Sequence, residues 1–222
     1  MRIFKRKIKK ILDSYKMKTI NDYLICLPVH DETSELIAFL RPVTANYMKT
    51  IPKCVELMSK WRVENPTIST GTFVVTHERT KKWLDNSVID NDSRIMFMIF
   101  DLQNNAIGHI GFSAFNYTEK SAEIDSVVRG VKHCLPGLMH FVVKTIIDWG
   151  YKTLGLKSIC LKVFKDNDHA IKFYRACGFC ENGLISLVKI HLSDEEKWEI
   201  DETVSIDCAE KLYQKMIYKG WQ

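Results

Sequence analysis

The feature that most constrains the fold is a change of rhythm near residue 130. Before it, apolar runs follow one another across tight turns. Residues 94–100 and 106–115 flank Asn104-Asn105, a hairpin signal, and Ser121 to Val128 continues as a further strand. After it, helix and strand alternate. Residues 136–152 place Leu138, Val142, Ile146 and Trp149 on one helical face, with Pro136 suited to the first turn. Ser158 to Phe164 reads as a strand, 168–177 as a helix, and 184–192 and 211–218 as closing strands. An antiparallel meander running into β-α-β-α-β predicts the α/β (α+β) class, with a mixed sheet flanked by helices.

Upstream, Tyr23 to Pro28 and Glu35 to Arg41 flank a turn at His30-Asp31-Glu32-Thr33, which suggests a hairpin. A helix is expected near 44–62 with Pro52 interrupting it, then a turn-rich stretch from Asn65 to Gly71 and a helix from Thr76 to Leu84. No repeat or Pro/Gly/Ser-rich linker divides the chain, so residues 21–222 are expected to form one domain.

Residues 1–20 stand apart by charge. They hold eight basic residues against Asp13, a net +7 in a chain of net +5, so the remaining body is mildly acidic. Within 2–16, Ile3, Phe4, Ile8, Ile11, Leu12 and Tyr15 share one helical face and the basic residues the other. Such a helix suits either an anionic membrane surface or packing against its own domain or a second subunit, so membrane contact and a homodimer both stand as candidates. Nucleic acid is not an expected partner of the domain. Seven scattered cysteines without framework spacing, no cleavable leader and no bilayer-length apolar run point to the cytoplasm, with the inner face of the membrane as a candidate place of work.

Two segments carry chemistry. In the loop Arg129 to Gly137, a strand runs into a helix start, where free backbone N–H groups and the helix dipole can receive a pyrophosphate. Thirty residues on, Asn167, Ala170, Tyr174 and Gly178-Phe179 form N-x-x-A-x-x-x-Y-x-x-x-G-F directly after a strand. This spacing resembles motif B of the Gcn5-related N-acetyltransferase family, and Lys132-His133-Cys134-Leu135-Pro136-Gly137 resembles the end of its motif A. The loop departs at Leu135, where the family has Gly, and at Pro136, which has no N–H.

The resemblance implies acetyl-CoA as co-substrate, no metal, and a mostly antiparallel sheet splayed at the cofactor cleft. It implies cofactor contacts at Val127, Val128, Arg129, Lys132, His133, Cys134, Leu135, Pro136, Gly137, Leu138, Asn167, Ala170 and Phe173. Tyr174 would protonate the departing thiolate. Glu123 and Asp125 lie two apart on a strand and so face one side; either could deprotonate the attacking amine, with His109 on the neighbouring strand as a rival base. Trp61, Arg62, His77 and Arg79 fall where the family binds its acceptor. Cys177 and Cys180 lack a second ligand pair, so no metal site is expected.

The pattern is also similar to acetyltransferases of bacterial surface-polysaccharide synthesis, which implies a small-molecule amine acceptor such as a nucleotide-linked amino sugar. A protein N-terminus, an aminoglycoside-like drug, or a catalytically silent acyl-CoA-binding subunit are the alternatives.

Overall fold

The computed structural model describes residues 1–17 and 25–220. Among these, ten strands form one sheet in the order β1-β2-β4-β5-β6-β7-β10-β8-β9-β3. The strands are β1 (Leu27–His30), β2 (Leu36–Pro42), β3 (Gly71–Phe73), β4 (Ile95–Asp101) and β5 (Ala106–Asn116), then β6 (Ser121–Arg129), β7 (Ser158–Phe164), β8 (Phe179–His191), β9 (Glu195–Ile200) and β10 (Lys211–Tyr218). Of the described pairings only β6 with β7 is parallel. The expected mixed, mostly antiparallel sheet flanked by helices is what forms.

Two cores sandwich the sheet, and β4 shows why. Its uninterrupted apolar run sends Ile95, Phe97 and Ile99 into one core and Met96, Met98 and Phe100 into the other. The first core is covered by α1 (Arg2–Tyr15), α5 (Leu138–Trp149) and α6 (Asp168–Ala176). The second is covered by α2 (Tyr47–Thr50), α3 (Cys54–Glu64) and the wide turn that follows α4 (His77–Trp83).

The basic helix α1 belongs to the domain. Phe4, Ile8, Leu12 and Tyr15 are buried in the first core, and the Tyr15 hydroxyl accepts a 2.8 Å bond from Trp149 Nε1 on α5. This corrects the expectation of an apolar face free to lie on a membrane: apart from Ile3, the stripe is covered by protein, and α1 turns its basic side outward. The division drawn at residue 20, and Tyr23 and Leu24 of the first expected strand, lie outside the described residues.

Other differences have local causes. The helix expected over 44–62 is two helices, because Pro52 cannot donate to a helical bond and Lys53 takes φ 57°. Pro136 lies in the turn before α5, not in its first turn, and Gly137 enters the helix at φ 77°. Gly178, at φ 83°, turns the chain out of α6 so sharply that β8 starts at Phe179, five residues earlier than expected. Strands β3 and β9 were not anticipated. β3 comes from between α3, which covers the β4 face, and α4, yet it pairs with β9 at the far end of the sheet. The sheet therefore curls until its last strands come back toward β6, which the turn Pro66–Ile68 beside β3 touches.

Candidate active site

The parallel strands β6 and β7 pair only from Ser121↔Ser158 to Glu123↔Cys160 and then part. Beyond that point β7 continues on β10, through Cys160↔Ile217 to Phe164↔Tyr213. The split opens a cleft at the carboxyl ends of two parallel strands, where open sheets bind ligands. A cavity of about 760 Å³ fills it, walled by β6, β7, α6, α3, α4 and the β3–β9 pair.

A bulge shapes the β6 wall. On β5, His109 and Gly111 are two apart; their partners Val128 and Asp125 are three apart. The extra residue puts Ser126 at φ 55°, and a bulge of this kind re-aims neighbouring groups and leaves an amide outside the ladder. His109 Nδ1 lies 2.6 Å from the Ser126 carbonyl, an arrangement in which the ring N–H donates. Burial pushes the His109 pKa down to about 4, against the opposing influence of the Ser126 bond and Asp125. His109 also lines the cleft; with its Nδ1–H held by Ser126 it is neutral, and burial leaves Nε2 a weak proton acceptor, so it ranks behind the carboxylates as the base.

Glu123 and Asp125 both line the cleft, but in different states. Asp125 has one oxygen on Arg94 and the other accepting from Ser126 N at 2.6 Å. Glu123 Oε1 meets Lys162 Nζ at 3.0 Å, and Oε2 has no partner among the described residues. Of the two carboxylates, Glu123 keeps an oxygen available for a proton.

Tyr174 projects from α6 into the cleft, set by a tilted contact with Phe173 at 5.2 Å and an edge contact with Phe179 at 5.9 Å. Burial, with Cys177 and Asp125 adding to it, raises its pKa above the ordinary phenol value, so the hydroxyl stays protonated at neutral pH. That hydroxyl has no hydrogen-bond partner among the described residues. Asn167 caps α6, its Oδ1 accepting from Ala170 N at 3.0 Å, and also lines the cleft with Ala170.

The loop after β6 supplies amides rather than cleft walls. The N–H groups of Val131, Lys132, His133, Cys134, Leu135 and Gly137 make no hydrogen bond within the described residues, and the loop leads into the N-terminus of α5. Arg129 and Lys132 are exposed beside them. This run of open donors at a helix start fits a pyrophosphate despite Leu135 and Pro136. Leu138 is a correction: its side chain is buried in the core and its N–H is taken by Leu135 O at 3.1 Å.

The acceptor residues divide. Arg62 and Arg79 line the cavity and flank one ring, Phe73, at 5.1 and 4.2 Å. Trp61 does not line it. It is 1% exposed, 5.9 Å from His109, and pressed against Gly130, so its part is to support the end of β6. His77 is on the surface, 3.6 Å from Glu56, and is also off the cavity. Phe173 packs on the core rather than lining the cleft. The structure adds Phe73, Trp83, Arg94, Lys162, Glu195 and Tyr213 to the walls. Tyr213 stacks on Phe164 at 5.0 Å, and burial, with Asp125 and Glu123, pushes its pKa up to about 12.

Comparison with known proteins gives these features a context. A family model described as an acetyltransferase (GNAT) domain matches residues 38–180. Spermidine N(1)-acetyltransferase of Vibrio cholerae is 30% identical over 100 residues, which is 45% of this chain and 57% of that enzyme. The chain thus aligns with little more than half of that relative's length. The structure of a Vibrio cholerae spermidine N-acetyltransferase in complex with CoA and spermine superposes with a TM-score of 0.54 at 22% identity, over 81% of this chain and 94% of that one. A dodecameric structure of the enzyme from the same organism gives 0.57 at 17%, over 81% and 92%. At such identities the likeness is one of fold.

Proposed function

The chain belongs to the acetyltransferase (GNAT) family, and on that premise we propose that it transfers the acetyl group of acetyl-CoA to a primary amine of a small molecule by direct attack. The observation that carries the reading is the unpartnered Tyr174 hydroxyl, which faces a cleft opened where β6 and β7 part. The amides of 131–135 and Gly137, with Arg129, Lys132 and the α5 dipole, would hold the pyrophosphate. The parted strand edges, Asn167 and Ala170 would take the pantetheine arm.

Each reacting charge then meets a residue of this chain. A backbone N–H at the bulge near Val127 stabilises the oxyanion that develops on the thioester carbonyl. Glu123, through its unpartnered Oε2 and directly or by way of water, receives the proton of the attacking amine. Tyr174 donates to the departing thiolate. His109 supports this sequence through the carbonyl of Ser126, which it holds at the bulge.

A cavity of about 760 Å³ suits a small acceptor. Two classes are in play: a polyamine, named in the relative's activity, and the nucleotide-linked amino sugar implied by the sequence. The dodecamer of a fold relative makes oligomerisation part of this proposal, and a cytoplasmic setting completes it. No described helix is long and apolar enough to cross a membrane; any surface attraction would come from the basic side of α1.

The test is release of free thiol from acetyl-CoA with a panel of amines. Turnover is expected with at least one, and Tyr174→Phe should lower kcat by about 10²–10⁴-fold while leaving coenzyme A affinity in place. A silent acyl-CoA-binding subunit would show a raised Tm with coenzyme A and no turnover with any amine.

A further inference from the structure

The charges around the cavity are not evenly matched. Among the described residues lining it are four cations, Arg62, Arg79, Arg94 and Lys162, and three carboxylates, Glu123, Asp125 and Glu195. Every carboxylate already has a cation. Glu123 is held by Lys162 at 3.0 Å, Asp125 by Arg94, and Glu195 by Arg79 at 2.5 Å. Asp194 adds a second carboxylate to Arg79 at 2.8 Å. Arg62 is the exception. Its guanidinium donates to the carbonyls of Gly71 and Pro66, and no described carboxylate lies within ion-pair distance of it. Burial pushes its pKa below the usual guanidinium value, with Glu195 opposing at a distance; a guanidinium remains charged even so.

A polyamine needs carboxylates free to receive its several ammonium groups. Here Asp125 and Glu195 are each held by an arginine, and the free oxygen of Glu123 is taken up by the reacting amine, so receiving further ammonium groups would strand a cation already in place. An oxyanion meets the opposite situation: a half-buried guanidinium with charge uncompensated and donors to spare, in fork geometry suited to carboxylate or phosphate. Arg62 and Arg79 both pack against Phe73 and hold that wall in place.

Resting on the acetyl-transfer reading above, we propose that the acceptor amine carries an oxyanion, carboxylate or phosphate, which pairs with Arg62, and that polyamines are poor acceptors for this chain. The amine end lies toward Glu123 and the anionic end toward the β3 wall.

Matched acceptors that differ only in the oxyanion test this with the unmodified protein: glucosamine 6-phosphate against glucosamine, and an amino acid against its amide, with spermidine alongside. The expected result is a kcat/KM at least tenfold higher for one anionic member than for its neutral partner and for spermidine. Which pair shows it tells phosphate from carboxylate. Arg62→Ala should then lose at least tenfold more on the anionic acceptor than on the neutral one, mainly in KM, with partial return in Arg62→Lys. Spermidine matching or exceeding every anionic acceptor overturns the proposal, as does a uniform loss across acceptors in Arg62→Ala. Calorimetric binding of the same matched acceptors to the coenzyme A-bound protein separates the two readings. Arg62-dependent preference for the anionic member supports this proposal even if no amine is acetylated, and equal binding of both members overturns it even if acetylation occurs.

Discussion

Replacing Gly130 by Ala should damage coenzyme A binding without touching any group that contacts the cofactor. A Cβ on residue 130 would lie 2.0 Å from Cε2, 2.2 Å from Cδ2 and 2.3 Å from Nε1 of Trp61. Ordinary contact begins near 3.4 Å, so chain or indole must move by roughly 1.4 Å. The indole has little room, being 1% exposed and set beside the buried His109 ring. The backbone is the part free to give, and it leads straight into the open amides of 131–135. Overpacking of this sort costs about 1–3 kcal/mol of stability. Loss of even one hydrogen bond to the charged pyrophosphate, about 1.5–3 kcal/mol, raises Kd about ten- to hundred-fold. Calorimetric titration with coenzyme A reads the affinity and thermal unfolding reads the stability. Trp61→Leu removes the obstructing ring, so the double variant should bind coenzyme A better than Gly130→Ala alone. If Gly130→Ala binds within twofold of the parent at unchanged Tm, the packing argument is wrong.

Two further outcomes follow from buried groups. With His109 at about 4 in the folded chain and near 6.5 unfolded, the unfolded state takes up a proton first as pH falls. Stability from this group is therefore present above pH 6.5 and lost between 6.5 and 4, by about 3 kcal/mol in all. Urea midpoints against pH should be flatter over that window in His109→Gln than in the parent; parallel curves would show that the histidine is not the source. Ile8 is fully buried on α1, so Ile8→Ala should cost about 2–5 kcal/mol in denaturant unfolding. A cost under about 0.5 kcal/mol would mean that α1 is not integral to the core.

What the sequence disclosed and what it hid divide by distance along the chain. The cofactor side of the cleft, from Glu123 to Tyr174, is one contiguous β-α-β-α stretch whose periodicity and caps are local. Thr76 and Asn167 cap helices where Ser/Thr/Asn preferences put them. The opposite wall of the cleft, where the acceptor was expected, is assembled from segments that meet only in the fold. Arg79 finds its carboxylates about 115 residues later. β9, Glu-Glu-Lys-Trp-Glu-Ile, shows no apolar alternation, and its partner β3 has three residues, so neither announces itself as a strand. Trp61 and Arg62 are adjacent in sequence, yet consecutive helical residues point about 100° apart. One therefore enters the core and the other the cavity. His109 offers proton-transfer chemistry by residue type alone, and only the fold shows that its depth and its bond to Ser126 make it a brace of the bulge.

The curled sheet ends in one of its two shortest pairings, the other being β6 with β7. β3 and β9 share just Gly71↔Lys197, Thr72↔Glu196 and Phe73↔Glu195, against the long ladders that join β5 to β6 and β8 to β10. A seam this short can fray while the rest of the sheet keeps its amide protection, with the Arg79 ion pairs to Asp194 and Glu195 as its outer clasp. The β3–β9 wall would then exchange its hydrogens faster than the longer central strands. A ligand entering through this seam would meet a sub-global opening step, governed by three residue pairs rather than by the stability of the whole molecule.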